Sequence, residues 1–348
     1  MLSAASGFIM QSEKYSRENA GQSLKKYILL KKGELAYNHG ASKYKPFGCC
    51  FELKEEEARI PYVYHCFAVK ENNDKSYIAR LLNNQKIDQQ LKRLISSSVR
   101  MDGLLNISYE EYTGIDLYLP SLPEQQKIAA FLSLVDVRIE KQRKLVENLK
   151  KYKRGYFQRI ISSLETSSFE LKNIVDEYNA KSKIQNELPI LSSTLSGIKL
   201  QNDYFNKQAA SETTIGYKIV PFGYFTYRSM SDTGEFRFNL QNIIEKGIVS
   251  PAYPVFKVKE EYNAEFVEYI LNETDKIKSQ LLVKKEGGTR YALSFSKFQT
   301  LKIDLPTKSV QDKMVSQLRY ANKILTNEEG VLSNLQKLKN GLLQQMFI

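Results

Sequence analysis

The 348-residue chain contains no tryptophan, two histidines (His39 and His65) and three cysteines (Cys49, Cys50 and Cys66). Neither histidine belongs to an HExxH string, and the cysteines lack the paired spacing of a zinc site, so no metal site is predicted. Three cysteines, two of them adjacent, also make no disulfide framework. We therefore interpret them as buried, reduced thiols of a cytoplasmic protein.

Motifs of the common nucleotide-dependent enzymes are missing as well. The sequence has no GxxxxGK(S/T) phosphate loop, no GxGxxG ahead of a predicted helix, and no Asn/Asp-Pro-Pro-Tyr/Phe string. The acidic cluster at residues 55–57 lies in a polar context, which is typical of exposed surface. No catalytic residue is predicted, and we interpret the chain as non-catalytic.

No apolar run approaches the roughly 20 residues that a transmembrane helix needs. Residues 1–10 lack a basic flank and a long apolar stretch, so a signal peptide is not expected. Lys and Arg number 51 against 39 Asp and Glu, a formal net charge of +12. This excess favours a polyanionic partner, either nucleic acid or an anionic membrane surface. In the cytoplasm, nucleic acid is the better candidate, and no membrane partner is predicted.

The sequence contains an internal repeat. Residues 125–161 can be laid over residues 311–347 without a gap, at a separation of 186 residues. A period this long indicates duplication of a whole domain with its helix, and not a solenoid with repeats of roughly 20–50 residues. The predicted organisation is globule, helix, globule, helix, at residues 1–120, 121–164, 165–305 and 306–348.

Both copies of the repeat predict a long helix with a coiled-coil seam. Pro123 suits the first turn of the first helix. Apolar residues recur about every 3.5 residues in both helices, and one polar residue interrupts each seam at the same place, Gln142 and Glu328. Matched registers favour an antiparallel pair that fixes the distance between the globules. The alternative is two amphipathic helices that pack separately on their own globules. The predicted seam and partner-binding residues are Ile128, Leu132, Val135, Ile139, Leu145, Leu149, Leu318, Leu325, Leu335 and Leu338.

The two helices differ in charge. The first carries nine basic and two acidic residues between Arg138 and Arg159, whereas the second carries two of each between Ile324 and Gln345. A basic run of this kind is either a solvated coiled-coil face or a surface that attracts DNA or an acidic partner subunit. Both interpretations stay open.

Each globule is predicted to be mixed α/β. In residues 217–227, aromatic and β-branched residues alternate with others as in β-strands, and a Pro-Phe-Gly turn interrupts the pattern. Val255–Val258 has the composition of another strand. Residues 264–278 have a helical period. Residues 221–227 align with residues 31–37, so similar elements are expected in both globules.

Candidate nucleic-acid contacts are basic and aromatic residues near the aligned turns. Arg228 follows the strand that ends at Tyr227, and Asn38 takes the equivalent place after Tyr37. Arginine can bridge guanine O6 and N7, and asparagine can bridge adenine N6 and N7, so modules that read different bases would differ here. The lysines and Arg237 suit phosphate contacts, which position a protein without specifying sequence. The predicted set is Tyr37, Asn38, Lys43, Lys45, Arg100, Tyr204, Tyr227, Arg228, Arg237, Lys284, Lys285 and Arg290.

The second globule has a lead segment, roughly residues 166–189, with nothing opposite it in the first, because Leu2 already aligns with Leu191. This segment includes the strand-like residues 169–175. We therefore expect the first globule to lack its opening strand and to be weakened or partly disordered.

Residues 119–128 and 150–158 resemble the conserved region of the specificity subunits of type I restriction-modification systems. The second copy is similar at residues 304–313 and 338–345, although Val310 stands where the first copy has Glu124. The resemblance covers essentially the whole chain. It implies an α/β (α+β) fold in which two long antiparallel coiled-coil helices separate two similar mixed target-recognition domains, with an internal pseudo-twofold repeat.

The resemblance also implies a function. Each target-recognition domain would read one half of a bipartite, asymmetric duplex DNA site. The helices would dock two adenine-methyltransferase subunits, and translocase/endonuclease subunits would complete the complex. No cofactor is expected on this chain, while S-adenosylmethionine, ATP and Mg²⁺ are expected on the partner subunits.

Two other functions stay open. An orphan or truncated specificity subunit would compete for methyltransferase without a target of its own. A coiled-coil scaffold would use its basic surface to bind acidic proteins only. Binding to duplex DNA with a steep salt dependence would exclude the scaffold, because phosphate contacts release counterions.

Overall fold

The computed structural model describes residues 2–3, 7–10, 26–40, 42, 45–95, 105–201, 213–284 and 290–347. The chain divides into two compact units. Unit 1 contains Met1–Leu145 and Glu328–Ile348, and unit 2 contains Val146–Asn327. Both divisions fall inside long helices, so each unit combines one globule with part of both helices. No helix in the described ranges is long and apolar enough to cross a membrane.

Unit 1 is built from short antiparallel strands followed by helices. The sheet has the order β5-β4-β7, β3 pairs with β6, and β1 pairs with β2. Asp74, Asn84 and Ser108 cap helices α1, α2 and α3, because each side chain accepts a hydrogen bond from a backbone N–H of the first turn. The elements are β1 (Leu2–Ser3), β2 (Gly7–Phe8), β3 (Ile28–Lys31), β4 (Leu35–Asn38), β5 (Cys49–Glu52), β6 (Glu57–Ile60), β7 (His65–Phe67), α1 (Lys75–Leu81), α2 (Gln85–Leu94), α3 (Tyr109–Thr113) and the first long helix, α4 (Leu122–Ser163).

Unit 2 repeats this plan with additional strands. Its four-stranded sheet has the order β15-β13-β17-β9. The elements are β8 (Ser167–Glu170), a 3-10 turn (Leu171–Asn173), β9 (Val175–Glu177), β10 (Leu191–Thr194), β11 (Gly197–Leu200), β12 (Lys218–Pro221), β13 (Phe225–Thr226), β14 (Met230–Ser231), β15 (Asn239–Leu240), β16 (Lys246–Val249), β17 (Val255–Val258), α5 (Ala264–Glu273), α6 (Asp275–Lys284), β18 (Tyr291–Ala292), α7 (Phe295–Gln299), β19 (Lys302–Leu305) and the second long helix, α8 (Lys308–Met346).

Most local predictions for the second globule are confirmed. Strands β12 and β13 flank the predicted Pro-Phe-Gly turn, and β17 covers the predicted residues 255–258. The single helix predicted over residues 264–278 is wrong. Thr274 adopts an extended conformation with ψ of 140°, which ends α5 at Glu273, and α6 begins at Asp275.

The lead segment supplies the strands that distinguish unit 2. Strand β8 pairs with β19, and β9 pairs with β17. In the described part of unit 1, β7 pairs with β4 alone, and no strand takes the place of β8 or β9. The predicted lack of an opening strand in the first globule stays a prediction. The predicted weakening of the first globule stays a prediction.

The two long helices bury a regular seam of alternating three- and four-residue steps. Buried or half-buried positions are 132, 135, 139, 142, 146, 149 and 153 in the first helix. They recur 186 residues later at 318, 321, 325, 328, 332, 335 and 339. Eight predicted residues are at least half-buried, namely Ile128, Leu132, Val135, Ile139, Leu149, Leu318, Leu325 and Leu335.

The prediction that Leu145 and Leu338 line this seam is wrong. Their side chains are 43% and 55% exposed, and the neighbouring Val146 and Lys339 occupy the seam instead. The prediction placed two three-residue steps in a row, at 139, 142 and 145 in the first helix and at 325, 328 and 331 in the second. The observed seam continues from 142 to 146 and from 328 to 332. The helices keep the regular coiled-coil period of about 3.5 residues, which places a lysine on the seam.

The same helix-to-helix contact is made once in each unit. In unit 1, Lys339 Nζ lies 2.6 Å from Asp136 Oδ1. In unit 2, Lys153 Nζ donates a hydrogen bond of 2.8 Å to Asn322 Oδ1. Lys153 and Lys339 are equivalent in the repeat, as are Asp136 and Asn322. The helices therefore pair with each other, so the alternative of separately packed helices is wrong.

Each long helix is also joined to its globule by an equivalent glutamine. The Asp74 backbone N–H donates to Gln125 Oε1 at 3.0 Å, and the Asn263 backbone N–H donates to Gln311 Oε1 at 2.8 Å. Both glutamines are 1% exposed. The duplication therefore includes the packing between helix and globule as well as the helix sequences.

Candidate nucleic-acid interface

A cleft of 160 Å³ in unit 2 brings three of the predicted arginines together. Arg228 and Arg237 line it. The pairing of β14 with β18 sets Ser231 opposite Tyr291, which places Arg290 beside the cleft. There Arg290 Nε donates to Asp232 Oδ1 at 2.8 Å. The tertiary structure thus gathers residues from three separate parts of the sequence.

The three arginines differ in their partners. Arg237 Nη1 donates to Glu273 Oε1 at 2.9 Å, and Arg290 is paired with Asp232. Arg228 is exposed directly after the buried Tyr227. Its guanidinium therefore has the open fork geometry that can bridge guanine O6 and N7 or a phosphate.

Two carboxyls interact with Arg237, Glu273 through an ion pair at 2.9 Å and Glu268 through electrostatic interaction. Burial raises the pKa of the Glu268 carboxyl, whereas a hydrogen bond from the Leu240 amide and the positive charge of Arg237 act in the opposite direction. Glu268 Oε1 accepts the Leu240 bond at 3.0 Å. Arg237 is therefore anchored by the protein, and Arg228 is the better candidate to meet a ligand.

A tight turn carries the acidic rim of the cleft. The Gly234 backbone N–H donates to Ser231 Oγ at 3.0 Å, and Gly234 has a φ of 78°, in the left-handed region that favours glycine. Asp232 and the exposed side chains of Met230 and Leu195 also line the cleft. None of these residues was predicted from the sequence. The Ser-Asp-Thr-Gly string indicates a turn, but its place beside Arg290 follows only from the pairing of β14 with β18.

Two predicted aromatic contacts are core residues. Tyr37 and Tyr227 are 1% and 0% exposed. The Tyr37 hydroxyl donates to the Phe47 carbonyl oxygen at 2.6 Å, and the Tyr227 hydroxyl donates to the Leu293 carbonyl oxygen at 3.2 Å. Burial raises the pKa of both phenols well above the ordinary value. Side chains buried in this way offer no surface to DNA, so the prediction of DNA contact is wrong for both.

The other described residues of the predicted set each contact their own unit. In unit 1, Asn38 Oδ1 accepts from the Gly40 backbone N–H, and Lys45 Nζ donates to the Asn83 carbonyl oxygen at 3.2 Å. In unit 2, Lys284 Nζ donates to Thr300 Oγ1 at 2.5 Å. Lys43, Arg100, Tyr204 and Lys285 lie outside the described residues.

The basic run of the first long helix faces outward. Eight of its nine cations are exposed, and the exception is Lys153, which donates to Asn322. Arg143 is paired with Glu140 at 2.6 Å on the same helix, and Arg154 lies 3.8 Å from Asp275. This exposure fits both interpretations of the run, a solvated face or a surface that attracts polyanions.

Comparisons with known proteins identify the fold. No protein-family model and no curated protein matches the chain. A solved structure from work on complex assembly and conformational transition of the type I restriction-modification system is similar over 92% of this chain and 82% of that chain, with a TM-score of 0.57 and 12% identity. The type I restriction-modification S subunit from M. genitalium is similar over 93% of this chain and 85% of its own, with a TM-score of 0.52 and 14% identity. The mixed α/β architecture with its repeated long helix is therefore the fold of a type I restriction-modification specificity subunit.

Proposed function

We propose that the chain is the DNA sequence-recognition subunit of a type I restriction-modification complex. The observation that carries the proposal is the repeated framework, in which Lys339–Asp136 and Lys153–Asn322 are the same contact in two units. The residues predicted to read bases differ between those units. Arg228 stands in unit 2 where unit 1 has Asn38. Two similar modules with different reading residues suit a bipartite, asymmetric site on duplex DNA.

The cleft in unit 2 supports direct readout by one of these modules. Arg228 can donate two parallel hydrogen bonds to guanine, and Asp232 can accept from cytosine N4 when it is not paired with Arg290. Leu195 and Met230 offer apolar surface of the kind that contacts a thymine methyl group. The outward cations of the first long helix add attraction to phosphates that carries no sequence information.

We further propose that the long helices bind two copies of one partner subunit. Exposed apolar side chains recur at equivalent positions of the two helices. These pairs are Leu134 with Tyr320, Leu145 with Val331, and Tyr152 with Leu338. Exposed apolar residues repeated at matching positions favour two copies of the same partner. The partners are adenine-methyltransferase subunits, with translocase/endonuclease subunits in the restricting complex. S-adenosylmethionine, ATP and Mg²⁺ would be bound by those partners.

Methylation mapping tests the proposal directly. The chain is expressed with its methyltransferase subunit in a host that lacks other adenine methylation, and genomic adenine methylation is sequenced. We expect a split motif that depends on both proteins. Methylation that is unchanged when the chain is omitted, or no methylation and no salt-dependent binding to duplex DNA, would contradict the proposed function.

A further inference from the structure

Two ion pairs at the cleft of unit 2 differ in their exposure to solvent. The side chains of Arg237 and Glu273 are 36% and 33% exposed, whereas those of Arg290 and Asp232 are 54% and 71% exposed. An ion pair between exposed side chains contributes little to stability, because water solvates the separated charges almost as well. The Arg290–Asp232 pair can therefore open easily, while Arg237 stays with Glu273.

The backbone on both sides of the Arg290–Asp232 pair is fixed. Strand β14 pairs with β18, and Ser231 lies opposite Tyr291, so the next residues, Asp232 and Arg290, meet at the end of this ladder. The Gly234 backbone N–H donates to Ser231 Oγ at 3.0 Å and holds the turn that carries Asp232. Opening of the pair therefore requires only the rotation of side chains.

The two partners differ in how far they can move. The carboxylate of Asp232 is joined to its backbone through one methylene group, whereas the guanidinium of Arg290 lies at the end of a flexible three-carbon stem. Their contact is a hydrogen bond of 2.8 Å from Arg290 Nε to Asp232 Oδ1. When this bond breaks, Arg290 moves and Asp232 stays in the cleft that Arg228 also lines.

The chemistry of Asp232 decides which bases can replace Arg290 as its donor. An ionised carboxylate only accepts hydrogen bonds. In the major groove it therefore suits the exocyclic amino group of cytosine or adenine, and it is repelled by the acceptor oxygens of thymine and guanine. A base with an amino group can take the place of Arg290 on the carboxylate, whereas thymine and guanine cannot.

The released guanidinium of Arg290 finds another acceptor on DNA. Phosphate oxygens bind arginine through two parallel charge-assisted hydrogen bonds. Opening thus exchanges one exposed ion pair for two contacts, from a base amino group to Asp232 and from Arg290 to a phosphate. With thymine or guanine beside Asp232, Arg290 stays on the carboxylate, which would otherwise face an acceptor without a donor.

We propose that the Arg290–Asp232 pair couples base reading to phosphate binding by exchanging its partners. Asp232 determines specificity at one base pair, where it requires an amino group in the major groove. Arg290 binds a phosphate only when that amino group is present. This inference rests on the proposed function, since it needs duplex DNA in the cleft of unit 2.

The test uses the chain in complex with its methyltransferase and fluorescent duplexes that carry the split motif. Fluorescence anisotropy gives the affinity at a series of salt concentrations. Asp232→Ala identifies the base pair, because discrimination at that position should fall from at least about fivefold to none. Duplexes with cytosine, adenine, thymine or guanine at this position are then compared.

The salt dependence of binding reports the coupling. For the unaltered chain, the slope of log affinity against log salt should be shallower by about 1 with thymine or guanine than with the base that is read. A base change by itself removes no phosphate contact, so independent reading by Asp232 would leave the slope unchanged. A steep slope with cytosine alone, or with adenine alone, supports the proposal and identifies the amino group.

Two variants separate the partners. Arg290→Ala should give the shallower slope with all four bases, because the phosphate contact is lost. Asp232→Ala should give the steeper slope with all four, because Arg290 is always free to bind phosphate. Lys246→Ala, which removes an exposed cation elsewhere in unit 2, should preserve the difference in slope between duplexes. Circular dichroism checks that each variant is folded.

Equal slopes of the unaltered chain on the four duplexes would overturn the proposal. Base discrimination that persists unchanged at every position in Asp232→Ala would also overturn it. Either result together with a split methylation motif leaves the proposed function intact. The absence of any split motif would overturn both.

Discussion

Gln142 Nε2 donates a hydrogen bond of 2.6 Å to Glu328 Oε2, and the two residues occupy the same position in the two copies of the repeat. Both residues belong to unit 1, so the bond joins the two long helices within that unit. The one polar residue in each apolar seam thus bonds to its equivalent in the other helix. A single polar pair of this kind can specify the register in which two helices pair.

Gln142→Ala should destabilise the chain. The substitution removes the donor to Glu328 and leaves a half-buried carboxylate without that hydrogen bond. We expect a loss of about 1–3 kcal/mol in the free energy of unfolding, measured by urea denaturation followed by circular dichroism. Gln126→Ala, at an exposed position on the same helix, is the matched control. Equal stability of the two variants would contradict this role of Gln142.

Asp136 should make stability fall at acid pH. Burial alone would raise the pKa of this carboxyl, but hydrogen bonds from Lys339 and Arg80, with their positive charges, lower it below the ordinary value. A depressed folded-state pKa contributes stability above the unfolded-state pKa, and that contribution is lost as pH falls through the folded-state pKa. Asp136→Asn should therefore be less stable near neutral pH, by about 1 kcal/mol or less, and match the unaltered chain in acid. A stability difference that does not change with pH would contradict this.

Asn322→Asp should strengthen the equivalent contact in unit 2. The new carboxylate would lie where Asn322 Oδ1 now accepts a hydrogen bond from Lys153 at 2.8 Å, and would reproduce the Asp136–Lys339 pair. We expect a gain of about 0.5 kcal/mol at neutral pH that shrinks as salt is added, because exposed pairs are screened. Urea denaturation at low and high salt measures it. Asn327→Asp, at an exposed position of the same helix, controls for added charge alone.

Arg228→Ala should impair recognition at one half of the DNA site. Loss of a bidentate contact to guanine weakens binding to the cognate duplex by about 1–3 kcal/mol and relaxes the sequence at that base. Arg228→Lys keeps the charge but lacks the planar fork, so it should lose the same discrimination. The readout is the methylated motif together with the duplex affinity at two salt concentrations. Lys246→Ala, another exposed cation of unit 2, should leave the motif unchanged. If Arg228→Ala leaves the methylated motif unchanged, Arg228 does not read a base of the DNA site.

Insertion of one heptad into both long helices should change the spacer of the split motif. Seven helical residues add about 10 Å, which corresponds to about three base pairs of duplex. Insertions after Leu145 and after Asn327 preserve the alternating three- and four-residue steps. Insertion into the first helix alone breaks the matched registers and should lower stability instead. Methylation mapping of the double insertion measures the spacer, and an unchanged spacer would refute the role of the helices in setting it.

The repeated helices were predictable because coiled-coil periodicity is a local property. Helices were predicted over residues 121–164 and 306–348, and the structure has them over Leu122–Ser163 and Lys308–Met346. The prediction that Leu145 and Leu338 lie on the seam was wrong because it followed the apolar residues. The side chains that turn inward follow the coiled-coil period of about 3.5 residues instead. Lys339 lies on the seam, where it forms an ion pair with Asp136. This contact joins residues that are distant in sequence.

The candidate DNA-reading residues were less predictable than the helices. Tyr37 and Tyr227 were selected as aromatic residues at the aligned turns. Residues 35–37 and 225–227 are all buried, so both faces of these segments are covered and the tyrosines are core residues. Arg290 could be selected as a cation. Its pairing with Asp232 depends on strands β14 and β18 meeting.

The sequence alone determined the duplication, the two long helices and the basic charge. These properties depend on composition, on local periodicity or on a repeat at constant separation, and all three can be read from one sequence. Only the tertiary structure decided that Gln142 meets Glu328, and that Arg228 and Arg237 line one cleft with Arg290 beside it. Each of these depends on contacts between residues far apart in the chain, and the free energy of such contacts comes from burial and pairing that no local pattern encodes.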